Sequence, residues 1–260
     1  NTLQSNLKSI EIEHDEIINS EKGLIKWLEL LHHTGIAIVK NSPTEKNSGF
    51  KVLNKIKHIV ISGNIGVGKT TLTGLLAKNF NWEPHYESVD SNPYLDDFYT
   101  DMQRWAFNLQ VYFLNSRFGQ LKEFQESGKN IIQDRTIYED AHIFAPNLHA
   151  MGLMTNRDYN NYSSLFELME KLVTPPDLLI YLRADISTLV GQIHKRGREY
   201  ENSISIDYLS RLNERYEAWI TTYQKGKLLI IDVDNLDFVE KQEDLGYIID
   251  RIDSQINGLF

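Results

Sequence analysis

Cysteine is absent from the 260 residues. Disulfides, thiolate zinc sites and cysteine nucleophiles are therefore excluded, and the redox compartment is left undetermined. Positive charge is also in short supply. Lys and Arg total 27 against 36 Asp and Glu, a formal net charge of -9. Proteins that hold nucleic acid by counterion release carry the opposite balance. Any nucleotide ligand is expected to be small and locally bound, not a polymer. No apolar run approaches the ~18–20 residues of a membrane span. No charged-then-apolar leader opens the chain. The expectations are no membrane partner and a cytoplasmic address. Internal repeats and low-complexity segments are missing too. What is present is an ordinary globular composition, 41% hydrophobic and 11% aromatic, which suits one large domain or two small ones at ~100–200 residues each.

The first fifty residues differ from the rest. Residues 21–33 place Leu24, Trp27, Leu28 and Leu31 at helical spacing, and 35–41 reads as a short strand. The polar stretch 41–50, with its Pro and Gly, reads as a linker. The expected organisation is an appended segment at 1–50, without activity, followed by a catalytic domain at 51–260. WLELLHHTGIAIVKNSPTE resembles the amino-terminal part of γ-butyrobetaine-type dioxygenases. Those enzymes need a His-x-Asp…His iron site, and this segment contains none.

From residue 56 short apolar runs alternate with helical patterns. HIVIS (58–62), IIQD (131–134), LLIYL (178–182) and LLIIDV (228–233) look like buried parallel strands. HYES, ending near Glu87, reads as another. Helices are predicted at 69–79, 104–126, 137–149, 158–173, 186–195 and 206–224. The acidic stretch 232–249 reads as charged surface. Strands alternating with helices predict an open parallel sheet covered on both sides, with ligands at the carboxyl ends of its strands.

Gly63, Asn64, Ile65, Gly66, Val67, Gly68, Lys69, Thr70 and Thr71 spell G-x-x-x-x-G-K-T between a predicted strand and a predicted helix. That context makes the motif a phosphate-binding loop. Its glycines let backbone N–H groups turn inward as an anion nest, and the helix terminus adds partial positive charge. Lys69 can reach the β- and γ-phosphates, and Thr70 can ligate the magnesium between them. The motif announces a nucleoside triphosphate and says little about the acceptor.

Other positions address the acceptor. Glu87 is placed to take a proton from an attacking hydroxyl. Asp134 and Arg135 end a buried strand. The acid can hold magnesium and the guanidinium can clamp an oxyanion; a structural ion pair is the alternative. Trp105, Phe107 and Phe113 read as core, and His142, His149 and His194 as surface or packing residues.

The order Gly63–Thr71, Glu87, Trp105-Ala-Phe107-Asn-Leu-Gln110, Asp134-Arg135-Thr136, Asp140, Lys195-Arg196-Gly197-Arg198-Glu199-Tyr200-Glu201 resembles the deoxynucleoside kinase family. More narrowly it resembles the bacterial deoxyadenosine/deoxyguanosine kinase branch, over about residues 56–260. The resemblance implies a three-layer α/β/α P-loop kinase fold with a central five-stranded parallel sheet and a helical lid. It implies ATP and Mg²⁺, with Thr70 and Asp134 serving the metal; other members often carry Glu at the latter position. Glu87 would be the general base on the 5′-hydroxyl, and Arg135 would hold that hydroxyl and the incoming phosphoryl group. Tyr99 and Glu201 match the pair that binds the sugar 3′-hydroxyl. Gln110 matches the amide that reads the base edge. Arg117 and Asp140 match the charged pair beyond it, and Phe144 an aromatic that packs on the base. Arg196 and Arg198 match lid arginines. Gln192 stands where some members place a further lid arginine. The family also implies a homodimer and feedback inhibition by a deoxynucleoside triphosphate.

The expected function is ATP-dependent 5′-phosphorylation of deoxyadenosine, with deoxyguanosine or deoxycytidine as further substrates, in nucleotide salvage. Two rivals are a nucleoside monophosphate kinase such as thymidylate kinase and a non-catalytic nucleotide-binding regulator. The first needs arginines near Glu87, and the local segment NWEPHYESVDSNPYLDD has none. The second need not keep the base, sugar and lid residues together.

Overall fold

A computed structural model describes residues 11–34, 38–41, 57–87, 92–198, 201 and 204–257. The chain divides into two compact units, Asn1–Ile56 and Lys57–Phe260. Among the described residues no helix is long and apolar enough to cross a membrane.

In the smaller unit β1 (Glu11–Glu13) pairs in parallel with β2 (Ile38–Lys40), Ile12 opposite Val39. Helices α1 (His14–Asn19) and α2 (Glu21–Thr34) connect them. The expected helix at 21–33 is present. However, Leu28, assigned to its apolar face, is 48% exposed. The expected strand is described only at Ile38–Lys40, and its residues 35–37, with most of the expected linker, lie outside the described residues.

The larger unit is built on β3 (His58–Gly63), β4 (Glu83–His85), β5 (Ile131–Asp134), β6 (Leu178–Arg183) and β7 (Lys227–Asp232). They form one parallel sheet in the order β4-β5-β3-β6-β7. The helices are α3 (Lys69–Phe80), α4 (Leu95–Thr100), α5 (Met102–Ser127), α6 (Ile137–Glu139), α7 (Ala145–Ala150), α8 (Asn156–Glu170), α9 (Ile186–Arg196), α10 (Ile206–Thr222) and α11 (Gln242–Asn257). A π-helical turn, Asp140–Phe144, joins α6 to α7.

The central strands β3 and β6 are rich in apolar residues because each serves two cores. Val60, Leu179 and Tyr181 pack with Leu114, Ile143 and Tyr216 on one face. Ile59, Ile61, Ile180 and Ile231 pack with Leu72, Leu76 and Ile252 on the other. Successive side chains of a strand point to opposite faces, so a continuous apolar run feeds both layers.

Two expectations are corrected. The strand expected at HYES is Glu83–His85, so Glu87 lies two residues beyond its end. The stretch expected to be charged surface, 232–249, buries Val233, Phe238 and Ile248, the last on helix α11 among acidic residues.

Candidate active site

At the carboxyl end of β3 the chain enters the Gly63–Thr71 loop and then α3. Gly66 has φ +88° and Gly68 φ +96°. A Cβ on Gly66 would lie 2.8 Å from the Leu189 carbonyl oxygen, and one on Gly68 2.9 Å from the Phe238 ring. Only glycine combines that backbone with those close approaches. Lys69 Nζ donates to the Asn64 carbonyl at 2.9 Å, inside the loop it serves. Burial, reinforced by Arg135, lowers its ammonium to a pKa of about 8. Thr70 Oγ1 donates to Asp134 Oδ2 at 2.5 Å. Asp134 is buried, which pushes its carboxyl up, and its Oδ1 has no protein partner.

Arg135, directly after β5, is the unusual residue of the site. Its φ is +71°, a left-handed conformation that costs a side chain with a Cβ roughly 1–2 kcal/mol. Its N–H donates to the Ile61 carbonyl at 2.9 Å. Thr136 then caps α6, and Glu139 closes a capping box by accepting from the Thr136 N–H at 2.8 Å. The Arg135 guanidinium lies 4.7 Å over the Phe144 ring, and Nε is 3.3 Å from Glu87 Oε1.

Glu87 also meets Arg117 of α5, Nη2 to Oε1 at 2.5 Å. The other Arg117 nitrogen, Nη1, bonds Asp140 Oδ2. Burial alone would raise the Glu87 pKa; Arg135, Arg117 and Lys69 outweigh it and hold the carboxylate at about 2. At Asp140 burial wins over Arg117 and Arg135, and the carboxyl rises to about 7. The segment around Glu87 has no arginine of its own, yet the fold brings it two. Both are engaged by carboxylates, an arrangement suited to a neutral hydroxyl acceptor and not to a phosphate.

A cavity of about 660 Å³ opens between these elements. From the loop it is lined by Ile65, Gly66, Gly68, Lys69, Thr70 and Thr71. Glu87, Tyr99, Gln110, Arg135, Asp140 and Phe144 line the acceptor side; Arg196, Arg198 and Glu201 line the lid side. Gln110 is buried with its Oε1 unpartnered. Arg196 donates to both Glu201 oxygens, at 3.0 and 2.5 Å. Arg198 lies 3.7 Å from the same carboxylate. Gln192 is on the wall as well.

Four of the sequence-predicted loop or metal residues stand behind the wall: Gly63, Asn64, Val67 and Asp134. Arg117 also lies behind it, as the counter-ion of two wall residues. Phe113 belongs to the core as expected, and it also lines the cavity and carries Arg117 4.8 Å above its ring. Trp105 and Phe107 pack against the core as expected. His142 stacks near Trp219 and His149 on Tyr159, while His194 is exposed. Sequence reasoning missed Glu139 and Tyr216, which hold Arg135 from behind. It also missed Phe98, Tyr208 and Val239 on the wall. No motif marks these residues.

The comparisons with known proteins agree with this fold. A family model described as deoxynucleoside kinase matches residues 59–257. A deoxyadenosine/deoxycytidine kinase of Bacillus subtilis is 42% identical over 76% of this chain and 93% of its own length. A deoxyguanosine kinase of Lactobacillus acidophilus is 40% identical over 75% of this chain and 88% of its own. A structure of deoxyadenosine kinase from M. mycoides with bound dATP superposes with a TM-score of 0.67 at 30% identity, covering 76% of this chain and all of that one. The dioxygenase likeness of the amino-terminal segment is not borne out. Over the larger unit the phosphate loop, Glu87 and the pair Arg117 and Arg135 stand together at one cavity. The chain belongs to the deoxynucleoside kinase family, and its reaction is the phosphorylation of a deoxynucleoside.

Proposed function

We propose that this kinase transfers the γ-phosphoryl group of ATP to the 5′-hydroxyl of deoxyadenosine, with deoxyguanosine or deoxycytidine as further acceptors, in cytoplasmic nucleotide salvage. The observation that carries the base preference is the unpartnered Oε1 of Gln110 on the same cavity wall as Asp140. Two acceptor groups suit a base that presents an exocyclic amino group, and a glutamine amide can pair with adenine through both its atoms. Tyr99 and Glu201 take the sugar 3′-hydroxyl, and Phe144 packs on the base.

In the reaction the 5′-oxygen attacks the γ-phosphorus, the bond to the bridging oxygen of ADP breaks, and Glu87 receives the hydroxyl proton. A carboxylate held at about 2 is a weak proton acceptor. Its first contribution is to orient the hydroxyl; the proton moves late, once bond formation has acidified the nucleophile. The transition state is loose, so charge neutralisation supplies most of the rate. Lys69, Arg135, Arg196 and Arg198 provide it. Thr70 Oγ1 and the open Asp134 Oδ1 fit a magnesium ion. Magnesium held there would neutralise the β- and γ-oxygens.

None of the proposed site residues falls in residues 1–50, and we assign that segment no part in the chemistry. Leu168 on α8 and Leu172 just beyond it are 61% and 62% exposed, which supports a homodimer through α5 and α8. Steady-state phosphorylation of the four deoxynucleosides tests the substrate reading. Deoxyadenosine should give the highest kcat/KM, and thymidine turnover equal to it would remove the pocket assignment.

A further inference from the structure

Behind the reactive wall lies a second layer that touches no part of the cavity. Tyr216 of α10 and Glu139 of α6 are fully buried, and neither lines the pocket. Arg135 Nη1 donates to the Tyr216 hydroxyl at 2.6 Å. That hydroxyl donates in turn to Glu139 Oε1 at 2.8 Å. The same Oε1 lies 3.5 Å from Arg135 Nη1 and accepts from the Gly63 N–H at 3.4 Å. Glu139 Oε2 accepts from the Thr136 N–H. One carboxylate therefore ties together the arginine, the turn that carries it and the first residue of the phosphate loop.

Helix α10 is anchored at both ends of this arrangement. Asn64 of the phosphate loop donates to the Leu209 carbonyl at 3.0 Å and to Asn213 Oδ1 at 3.1 Å. The Tyr216 ring stacks on Tyr181 of β6, centroids 5.7 Å apart and 16° from parallel. A long arginine side chain without such contacts has several rotamers of similar energy. Here one edge is fixed from behind, and Nε faces Glu87. Burial holds the Tyr216 phenol well above its ordinary range, so its proton stays on and can be donated to Glu139.

We propose that Tyr216 and Glu139 are positioning residues that set the Arg135 guanidinium against the acceptor hydroxyl and the transferring phosphoryl group. They do so by holding Arg135 and the phosphate loop to one helix at a fixed separation. This rests on the acceptor role of Arg135 proposed above.

The test is a double-mutant cycle on the full chain, read as kcat and KM for each substrate. Tyr216→Phe keeps the stacked ring and deletes only the hydroxyl. It should lower kcat roughly ten- to hundredfold, the range for losing a hydrogen bond to a charged group. KM for ATP should move less than about threefold, because the loop's phosphate contacts remain. In an Arg135→Ala background the same substitution should change kcat by less than about twofold. Equal losses in both backgrounds would overturn the inference, as would Tyr216→Phe with full kcat. If Tyr216→Phe does not fold, Glu139→Gln enters the same cycle with the same two deciding outcomes. Arg135→Ala with full activity would instead overturn the role of Arg135 itself, so the two failures are distinguishable.

Discussion

Arg117 and Glu87 meet at 2.5 Å, although we assign one to the base side of the pocket and the other to the hydroxyl side. The second Arg117 nitrogen bonds Asp140. One guanidinium therefore serves two carboxylates with different tasks. It keeps Glu87 ionised and opposes the neutralisation of Asp140 by burial. A change at Arg117 therefore alters the electrostatics at Glu87 as well as at Asp140.

Glu87→Gln keeps the size and hydrogen-bonding capacity of the side chain and removes its proton affinity. General-base contributions run to ~10²–10⁴-fold, and kcat should fall within that range. ATP binding, measured by titration in the absence of acceptor, should be nearly unchanged, since Lys69 and the loop amides are untouched. Full retained activity would take Glu87 out of the mechanism.

Thymine presents a carbonyl where adenine and cytosine present an amino group. Placed against Asp140 and Gln110 Oε1, that carbonyl would face acceptors, and its methyl group would press toward Arg117. An unpaired buried polar group costs ~1–3 kcal/mol, so thymidine should trail deoxyadenosine by roughly ten- to more than a hundredfold in kcat/KM. Arg117→Met together with Asp140→Ala should narrow that gap. Arg117→Met alone should do less, because it strands a buried carboxyl and also strips Glu87 of a counter-ion.

The pH dependence of stability has opposite signs at the two ends of Arg117. Asp140 rises to about 7 in the folded chain. Its contribution is therefore complete below the ordinary aspartate value and is lost as pH climbs through about 7. Glu87 is depressed to about 2, so its contribution is present above the ordinary glutamate value and is lost only in strong acid. Thermal melts of the wild-type chain and Asp140→Asn at several pH values between about 4 and 7 should show the wild type losing stability relative to the variant as pH rises. A constant difference across that window would contradict the buried, mostly neutral state of Asp140 at its lower end.

A chain shortened to begin at Lys55 should fold and phosphorylate, because every proposed site residue follows it. Circular dichroism with the standard kinase assay decides the matter. A folded, inactive product would give the amino-terminal unit a role in the reaction.

Local chemistry was legible in the sequence. The phosphate loop is a run of consecutive residues whose glycines, lysine and threonine act through their own backbone and their nearest neighbours, and it was readable in full. The four longer strands of the larger unit were readable because burial on both faces demands uninterrupted apolar runs. Helix α11 was not, since Glu243, Asp244, Asp250 and Asp253 are interleaved with its apolar stripe of Leu245, Ile248, Ile249, Ile252 and Ile256. The family pattern supplied the identities of Glu87, Gln110, Arg117 and Asp140 without their geometry. That Arg117 bridges Glu87 and Asp140, that Arg135 sits at φ +71°, and that Tyr216 meets Glu139 across 77 positions of chain were decided by the tertiary structure alone. The hydrogen-bond partners of a buried charge are whatever the packing of distant elements leaves within about 3 Å. No spacing along a single segment encodes that distance.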